Sequence, residues 1–524
     1  MYKIPLVRRS LAALLLVLAP GAAAQERQEL EALRATTLNL IKLLVEEGLL
    51  TQEKANALMR QAEQPAARPG EKPKPSVRVP YVPETVRQEI KDQVREEVIA
   101  QARAERWADP GRLPEWADRI TIEGDVRLRA QHDMLDQGNV VDAGGVLLPT
   151  AVVLNFAGQN ITNSTEDQTR LRLRARLGVH ARVTDDVQAA IRFATGSTGS
   201  TGSPGSLNNT LGGTEYSARN SAGIDLAYVR WNPSAQWFTL TGGRIPNPFF
   251  SSDLLWAQDL NFDGVAVPLR FVARENLQPF VTLGAFPLRD FDPSPAEPAR
   301  KDKWLQGVQV GVDYGYATST LLRLGAAYYD YRNIAGIPNL DPLQPNLYDW
   351  TAAPAARQKG NTVMPIDFAG AGTLFGYASQ FRIVNLTGEI GFRYDDLRRV
   401  TLLADWAKNV GFDREEILGR TGADLERRDS ARHLRLTFGH SQMQRWGDWF
   451  AFGGYKRVEA DSVLDVFTDG DFHLGGTNAK GWYFGGGFGI GRNAWFGAKY
   501  STGNQIDGPP LAIDVLQIDM NARF

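Results

Sequence analysis

Between residues 170 and 182 the chain alternates between apolar and mostly basic side chains. Leu171, Leu173, Ala175, Leu177, Val179 and Ala181 take one parity, and Arg170, Arg172, Arg174, Arg176, His180 and Arg182 take the other. Successive Cβ atoms of an extended strand point to opposite faces of a sheet, so this strand has one apolar face and one lined with guanidinium groups. A soluble sandwich strand also alternates, but it rarely stacks four arginines on its solvent side. Charge this dense suits a water-filled interior. The preceding segment, 119–131, has the same design. Ile120, Ile122, Val126, Leu128 and Ala130 oppose Arg119, Thr121, Glu123, Asp125, Arg127, Arg129 and Gln131.

Similar alternation recurs near 186–195, 222–231, 237–245, 262–272, 278–288, 305–314, 319–331, 377–394, 399–409, 431–440, 446–457, 480–490, 495–502 and 513–524, which makes sixteen candidate strands. The connections alternate in length. Those at 132–168, 196–221, 246–261, 289–304, 332–376, 410–430 and 458–479 are long, and 503–512 is intermediate. Those at 183–185, 232–236, 273–277, 315–318, 395–398, 441–445 and 491–494 are short. A transmembrane antiparallel up-and-down β-barrel has tight turns on its periplasmic side and long loops outside. A propeller would instead repeat a blade motif at a fixed period, and none is present. Trp231, Trp237, Tyr314, Tyr316, Tyr394, Trp446 and Trp495 flank the short connections, where amphipathic rings would form a girdle at headgroup level.

The N-terminal quarter is different. Lys3, Arg8 and Arg9, the apolar run from Leu11 to Ala19 and the Ala22-Ala23-Ala24 triplet compose a secretory signal over 1–24. Over 25–64, Leu30, Leu33, Thr37, Leu40 and Leu44 follow the spacing of a coiled-coil-like seam. This segment is either a helical docking or oligomerising hairpin in the periplasm or a solubilising spacer. Residues 65–83 form a Pro-rich, semi-rigid linker, 84–118 a helix and connector, and 119–524 the outer-membrane barrel.

Composition narrows the function classes. A formal charge of −2 argues against a nucleic-acid partner. With no cysteine there is no disulfide, no thiolate metal site and no Cys nucleophile. The mean hydropathy of −0.29 is too low for a helical multi-span membrane protein. Five histidines are present, and His440 stands beside Ser441, but neighbouring strand residues face opposite ways and no G-x-S-x-G or H-E-x-x-H motif occurs. No catalytic residue, metal site or cofactor is therefore assigned, and an outer-membrane hydrolase remains the lesser alternative.

The last strand carries Leu516, Ile518, Met520, Ala522 and Phe524 on one face and Gln517, Asp519, Asn521 and Arg523 on the other. An amphipathic final strand closing on Phe524 resembles the signal recognised by the outer-membrane barrel-assembly machinery. The stretch from Gly242-Gly243-Arg244-Ile245-Pro246-Asn247-Pro248 to Asp259-Leu260-Asn261-Phe262-Asp263-Gly264, with the whole layout, resembles the porin family of Gram-negative outer membranes. The resemblance implies a barrel surrounded by outer-membrane lipids, commonly a homotrimer, passing small hydrophilic solutes and ions by passive diffusion. It also implies that the third long loop, 246–261, folds into the lumen and sets acids against arginines. Phe249, Phe250, Leu254, Leu255 and Trp256 make that loop unusually apolar. The expected constriction pairs Arg127, Arg129, Arg170, Arg172, Arg174, Arg176, His180 and Arg182 with Asp253, Asp259 and Asp263. Two alternatives stay open here. The loop could pack at a subunit interface while the arginines pair with Glu123 and Asp125, or the barrel could only anchor an envelope tether whose N-terminal helices hold peptidoglycan or a partner.

Overall fold

The computed structural model describes residues 119–139, 163–196, 207–212, 221–233, 237–274, 276–290, 301–315, 320–339, 343, 358–366, 375–395 and 397–524. The signal, the helical segments and the linker expected within 1–118 lie outside the described residues, as does Tyr316.

Sixteen long antiparallel strands run in chain order. They are β1 (Ile120–Leu135), β2 (Gln168–Arg182), β3 (Val187–Thr195), β4 (Ala222–Trp231), β5 (Leu240–Pro246), β6 (Asn261–Arg270), β7 (Leu277–Arg289) and β8 (Lys303–Tyr314). The second half comprises β9 (Thr320–Arg332), β10 (Phe381–Arg393), β11 (Arg398–Asn409), β12 (Ser430–His440), β13 (Trp449–Val458), β14 (Ala479–Gly491), β15 (Ala494–Gln505) and β16 (Ala512–Arg523). Each strand pairs with its neighbours in sequence, and β1 pairs with both β2 and β16, so the sheet closes. A two-residue strand, Asn209–Thr210, adds to β2 from the second long loop. A separate small hairpin pairs Val363–Pro365 with Phe375–Tyr377 in the fifth long loop.

The seam carries its own lock. Gly124 and Phe524 exchange two backbone hydrogen bonds of 3.0 Å. The Phe524 ring lies over Gly124 so closely that a Cβ there would meet it at 2.4 Å. Glycine is thus the residue that lets the terminal ring cover the first strand.

Parity sorts the strand side chains as the sequence predicts. Ile122 is 63% exposed, Leu171 55% and Leu128 46%, whereas the inward Gln131 and Asp133 are each 1% exposed. A surface with its large apolar residues outside and its polar residues inside suits an apolar solvent, and a closed barrel can meet it because no edge is left unpaired. Trp231, Trp237, Tyr314, Tyr394 and Trp446 are exposed at the short-turn end. Trp237 stacks with Phe271 at 6.2 Å, and Trp446 meets Phe488 edge-on at 5.9 Å. Trp495 departs from this girdle. It shares the parity of Gly497 and Lys499 and lines the lumen with them, so strand parity overrides nearness to a turn.

Three further differences from the sequence expectation have physical causes. First, β1 continues to Leu135 rather than ending at 131, because Asp133 keeps the inward parity and forms an ion pair with Arg170. Second, the connection 410–430 contains a helix, α1 (Arg414–Thr421). Asp413 caps it by accepting from the backbone N–H groups of Glu415 and Glu416, and Gly422 at φ 70° ends it. Third, the lumen is not polar all round. Phe262, Phe286, Leu305, Tyr329, Phe381 and Ile383 of β6–β10 point inward and are buried.

Replacing the lipid-facing Leu128 by Arg should cost ~2–4 kcal/mol if it lies near the bilayer midplane. Urea unfolding of the barrel in phospholipid vesicles measures this. A loss below about 0.5 kcal/mol would show that this face does not meet hydrocarbon.

Candidate functional site

The apolar sector on β6–β10 is covered from within. Pro246 ends β5, and the chain then turns into the barrel, where Phe249, Leu254, Leu255, Trp256 and Leu260 become buried. Phe249 and Trp256 meet Tyr329 edge-on at 5.0 and 5.2 Å, and Trp256 meets Phe262 at 5.1 Å. The loop's apolar residues therefore have partners inside their own barrel, and packing at a subunit interface is not needed to bury them.

A polar clasp holds the tip of this loop against the wall. Ser252 donates its N–H and its hydroxyl to Asp405 on β11, at 2.9 and 2.6 Å. Asp405 also accepts from Asn385 and Thr387 of β10. His433 on β12 contacts the Ser252 hydroxyl at 2.9 Å. The Ser252 hydroxyl proton goes to Asp405, so the His433 ring acts on it as a donor and does not activate a nucleophile. Asp253 pairs with Lys456 of β13 at 2.9 Å, and Lys456 also reaches Asp469 at 3.2 Å. Asp253 belongs to the loop, outside the spanning strands. Burial works against its ionisation, but the Lys456 ammonium overrides burial and holds the carboxyl far below the usual range.

The other end of the loop grips the arginine face. Asp259 accepts from Arg174 at 2.9 Å and lies 3.5 Å from Arg176, while Asp125 binds Arg174 at 3.0 Å and Arg176 at 2.7 Å. Two carboxylates thus bridge two guanidiniums. Arg129 is held by Asp519 of β16 and by Asp471 of the seventh long loop, both at 2.7 Å.

These contacts divide the expected constriction residues. Arg127, Arg129, Arg172, Arg174, Asp253 and Asp259 line one luminal cavity of about 260 Å³. Arg176 stands at its edge through Asp259. Arg170 is taken up by Asp133 beyond the cavity, and His180 pairs with Glu123 at 3.0 Å, towards the short turn. Arg182 is exposed where β2 ends. Asp263 is separate as well, since it lies on β6 and pairs with the neighbouring Arg244 at 2.8 Å. The expected pairing with Asp125 and the expected engagement of a loop acid thus coexist on the same two arginines, Arg174 and Arg176, while Glu123 pairs with His180.

Several residues of the site were missed in the sequence. Asp469, Asp471 and the rest of 459–478 form a second inward loop. Its Phe467 carbonyl accepts from the N–H of Ala257 at 2.8 Å. The loop is zipped to 358–362: Thr362 donates to Asp461 at 2.8 and 2.7 Å, and Asn361 donates to the carbonyls of Ala460 and Val463. The buried Lys359 ammonium donates to the carbonyls of His473 and Gly475. Burial pushes it down to about 7, with Asp465 opposing. The signal for this loop was its run of Val463, Leu464, Val466 and Phe467, as apolar as the third loop. The cavity is also lined by Phe450 and Phe452 of β13, Tyr483 of β14, Arg435 and Lys499.

A family model described as "Putative porin" matches residues 34–524. No curated protein matches the sequence. Among solved structures, the chain is similar to the outer membrane channel DcaP of Acinetobacter baumannii (11% identity, 77% of this chain and 97% of that one, TM-score 0.40). It is also similar to OprB of Pseudomonas putida at high pH (11%, 78% and 96%, TM-score 0.45) and to Salmonella typhi OmpF in complex with daunomycin (11%, 77% and 97%, TM-score 0.38).

Lys456→Met should leave Asp253 buried without its cation and cost ~3–5 kcal/mol, measured by urea unfolding in detergent. Stability equal to the parent would mean that the clasp carries nothing. For Lys359 the sign follows from its lowered pKa. Between about 7 and 10.5 the unfolded chain holds a proton that the folded one has released, so stability rises with pH across that window. The unfolding midpoint should therefore climb from about pH 7 to about pH 10, and Lys359→Met should flatten the climb.

Proposed function

We infer the function from the family to which this chain belongs, that described as "Putative porin", whose model spans residues 34–524. The protein is an outer-membrane porin, a channel through which small hydrophilic solutes and ions diffuse passively. The observation that carries this function is the closed sixteen-strand ring with its apolar parity outside and its charged parity within.

The finer reading concerns where passage is controlled. Loop 247–260 forms the constriction, with Arg127, Arg129, Arg172 and Arg174 on one side and Asp253 and Asp259 on the loop. In support, all six line one cavity, and the loop is fixed at both ends by ion pairs. Fixed charges of both signs in a narrow, partly desolvated passage create a local field that orients polar solutes and disfavours bulky apolar ones. The short turns face the periplasm and the long loops the exterior. An even strand number then brings β1 in from the periplasmic side, which supports a periplasmic location for residues 25–118. The coiled-coil-like seam of that segment, Leu30 to Leu44, supports self-association into a trimer and contact with peptidoglycan or a partner.

Neutralising Arg172 and Arg174 to Gln should shift the reversal potential under a KCl gradient towards cation preference. The shift should shrink as salt rises, because screening shortens the reach of the remaining charges. Unchanged selectivity in planar bilayers would remove the constriction from this wall.

A further inference from the structure

Two of the cavity-lining arginines on β1 and β2 have no ion-pair partner among the described residues. Arg129 and Arg174 each hold two carboxylates. Arg127 meets the amide oxygen of Asn208 at 2.6 Å, and Arg172 that of Gln131 at 3.2 Å. In the register of β1 with β2, Arg127 lies opposite Arg174 and Arg129 opposite Arg172. The two guanidiniums that form no ion pair are therefore diagonal neighbours on one face, with Asp471 acting on both only at longer range. Diagonal positions of an antiparallel pair are roughly 7–8 Å apart, a gap that a carboxylate can bridge with two long side chains. Holding two like charges side by side away from bulk water is costly unless an anion meets them.

Another part of the same cavity's wall, on β13 and β14, is aromatic. The Phe450 and Phe452 rings stack with centroids 6.1 Å apart and planes at 16°. They lie flat against β14 because Gly485 and Gly487 leave room for them. A Cβ on either glycine would meet a ring atom at 2.5 Å. The Arg435 guanidinium lies over the Phe452 ring, 4.4 Å from its centre, and adds a cation to this aromatic wall. The cavity, about 260 Å³, is smaller than the roughly 300–1,000 Å³ of drug-sized pockets.

We propose that the lumen carries a binding subsite for single-ring arylcarboxylates, with the carboxylate bridging Arg127 and Arg172 and the ring packed on Phe450 and Phe452. This deepens the channel function and rests on the same lumen. A permeating solute is held long enough to be selected and weakly enough to leave. Neutral aromatic solutes lack the charge for the first contact, and acetate lacks the ring for the second.

The test uses the full chain refolded in detergent, with calorimetric titration of benzoate, acetate, succinate and benzyl alcohol, alongside KCl conductance of the same preparation. Benzoate should bind saturably and about tenfold more tightly than the other three. Arg127→Gln with Arg172→Gln should weaken benzoate by about tenfold or more. Phe450→Leu with Phe452→Leu should bring benzoate down to the level of acetate and leave acetate unchanged. If one double variant does not refold, the other decides. Benzoate binding no tighter than acetate or succinate overturns the subsite, as does benzoate binding that a refolded double variant leaves unaltered. Saturable benzoate binding without KCl conductance upholds the subsite and overturns the open channel. Conductance without benzoate preference does the reverse.

Discussion

In hydrocarbon an unpaired backbone N–H or C=O has no water to turn to, so a spanning sheet must leave none of them at an edge. Here that requirement is met by the ladder between β1 and β16, in register from Asp125 with Arg523 to Leu135 with Ile513. The Gly124–Phe524 contact seals the end of that ladder. Once the ring is closed, parity has only one workable sense. The face that meets lipid must be apolar, and the dense charge of β1 and β2 is directed inward. The arginine face of β2 is thus a consequence of closure as much as of function.

Closure alone would leave a wide polar tube. What fills it is an apolar sector that turns inward on β6–β10 and the loops that cover it. Burying a large side chain such as Leu254 or Trp256 is worth about 1.5–3 kcal/mol, which holds the loop against the wall without fixing where its tip points. The ion pairs and hydrogen bonds at Asp253, Ser252 and Asp259 fix that position. They tie one loop to β10–β13 on one side and to β1–β2 on the other. Apolar packing supplies the affinity and charge supplies the register, so the constriction has a defined shape.

The barrel was legible because each strand declares itself locally. Parity and turn length are properties of a few adjacent residues, and all sixteen strands follow from them. The apolar character of 246–261 was equally visible, but by itself it left an inward fold and a subunit interface both open, and the resemblance to porins implied the first. Partner identity was not visible. Asp253, Asp259 and Asp263 stand close in sequence, yet they go to Lys456, to Arg174 and Arg176, and to Arg244 respectively. Those choices depend on where a loop crosses the lumen, which no local period encodes. Trp495 failed for the opposite reason, because its neighbourhood suggested the girdle while its parity with Lys499 already assigned it to the lumen. The helix at 414–421 was signalled by Asp413, two glutamates and Gly422, but it is too short to show a full amphipathic period.

The pattern of neutralisation gives the arginine wall its character. A formal net charge of −2 over the whole chain excludes strong selectivity by overall field, so any preference must be made within a few ångströms. Most of the basic groups around the lumen are already spoken for: Arg129, Arg174, Arg176 and Lys456 each hold carboxylates at hydrogen-bonding distance. They shape the passage and are largely silent to a passing ion. Arg127 and Arg172 form hydrogen bonds only to amide oxygens and line the cavity without an ion pair, with Asp471 acting on them at longer range. A long ladder of arginines therefore concentrates its influence in two of its members, and these line the same cavity as the stacked Phe450 and Phe452 rings. Selectivity in such a channel depends less on how many charges line it than on which of them the protein leaves uncompensated.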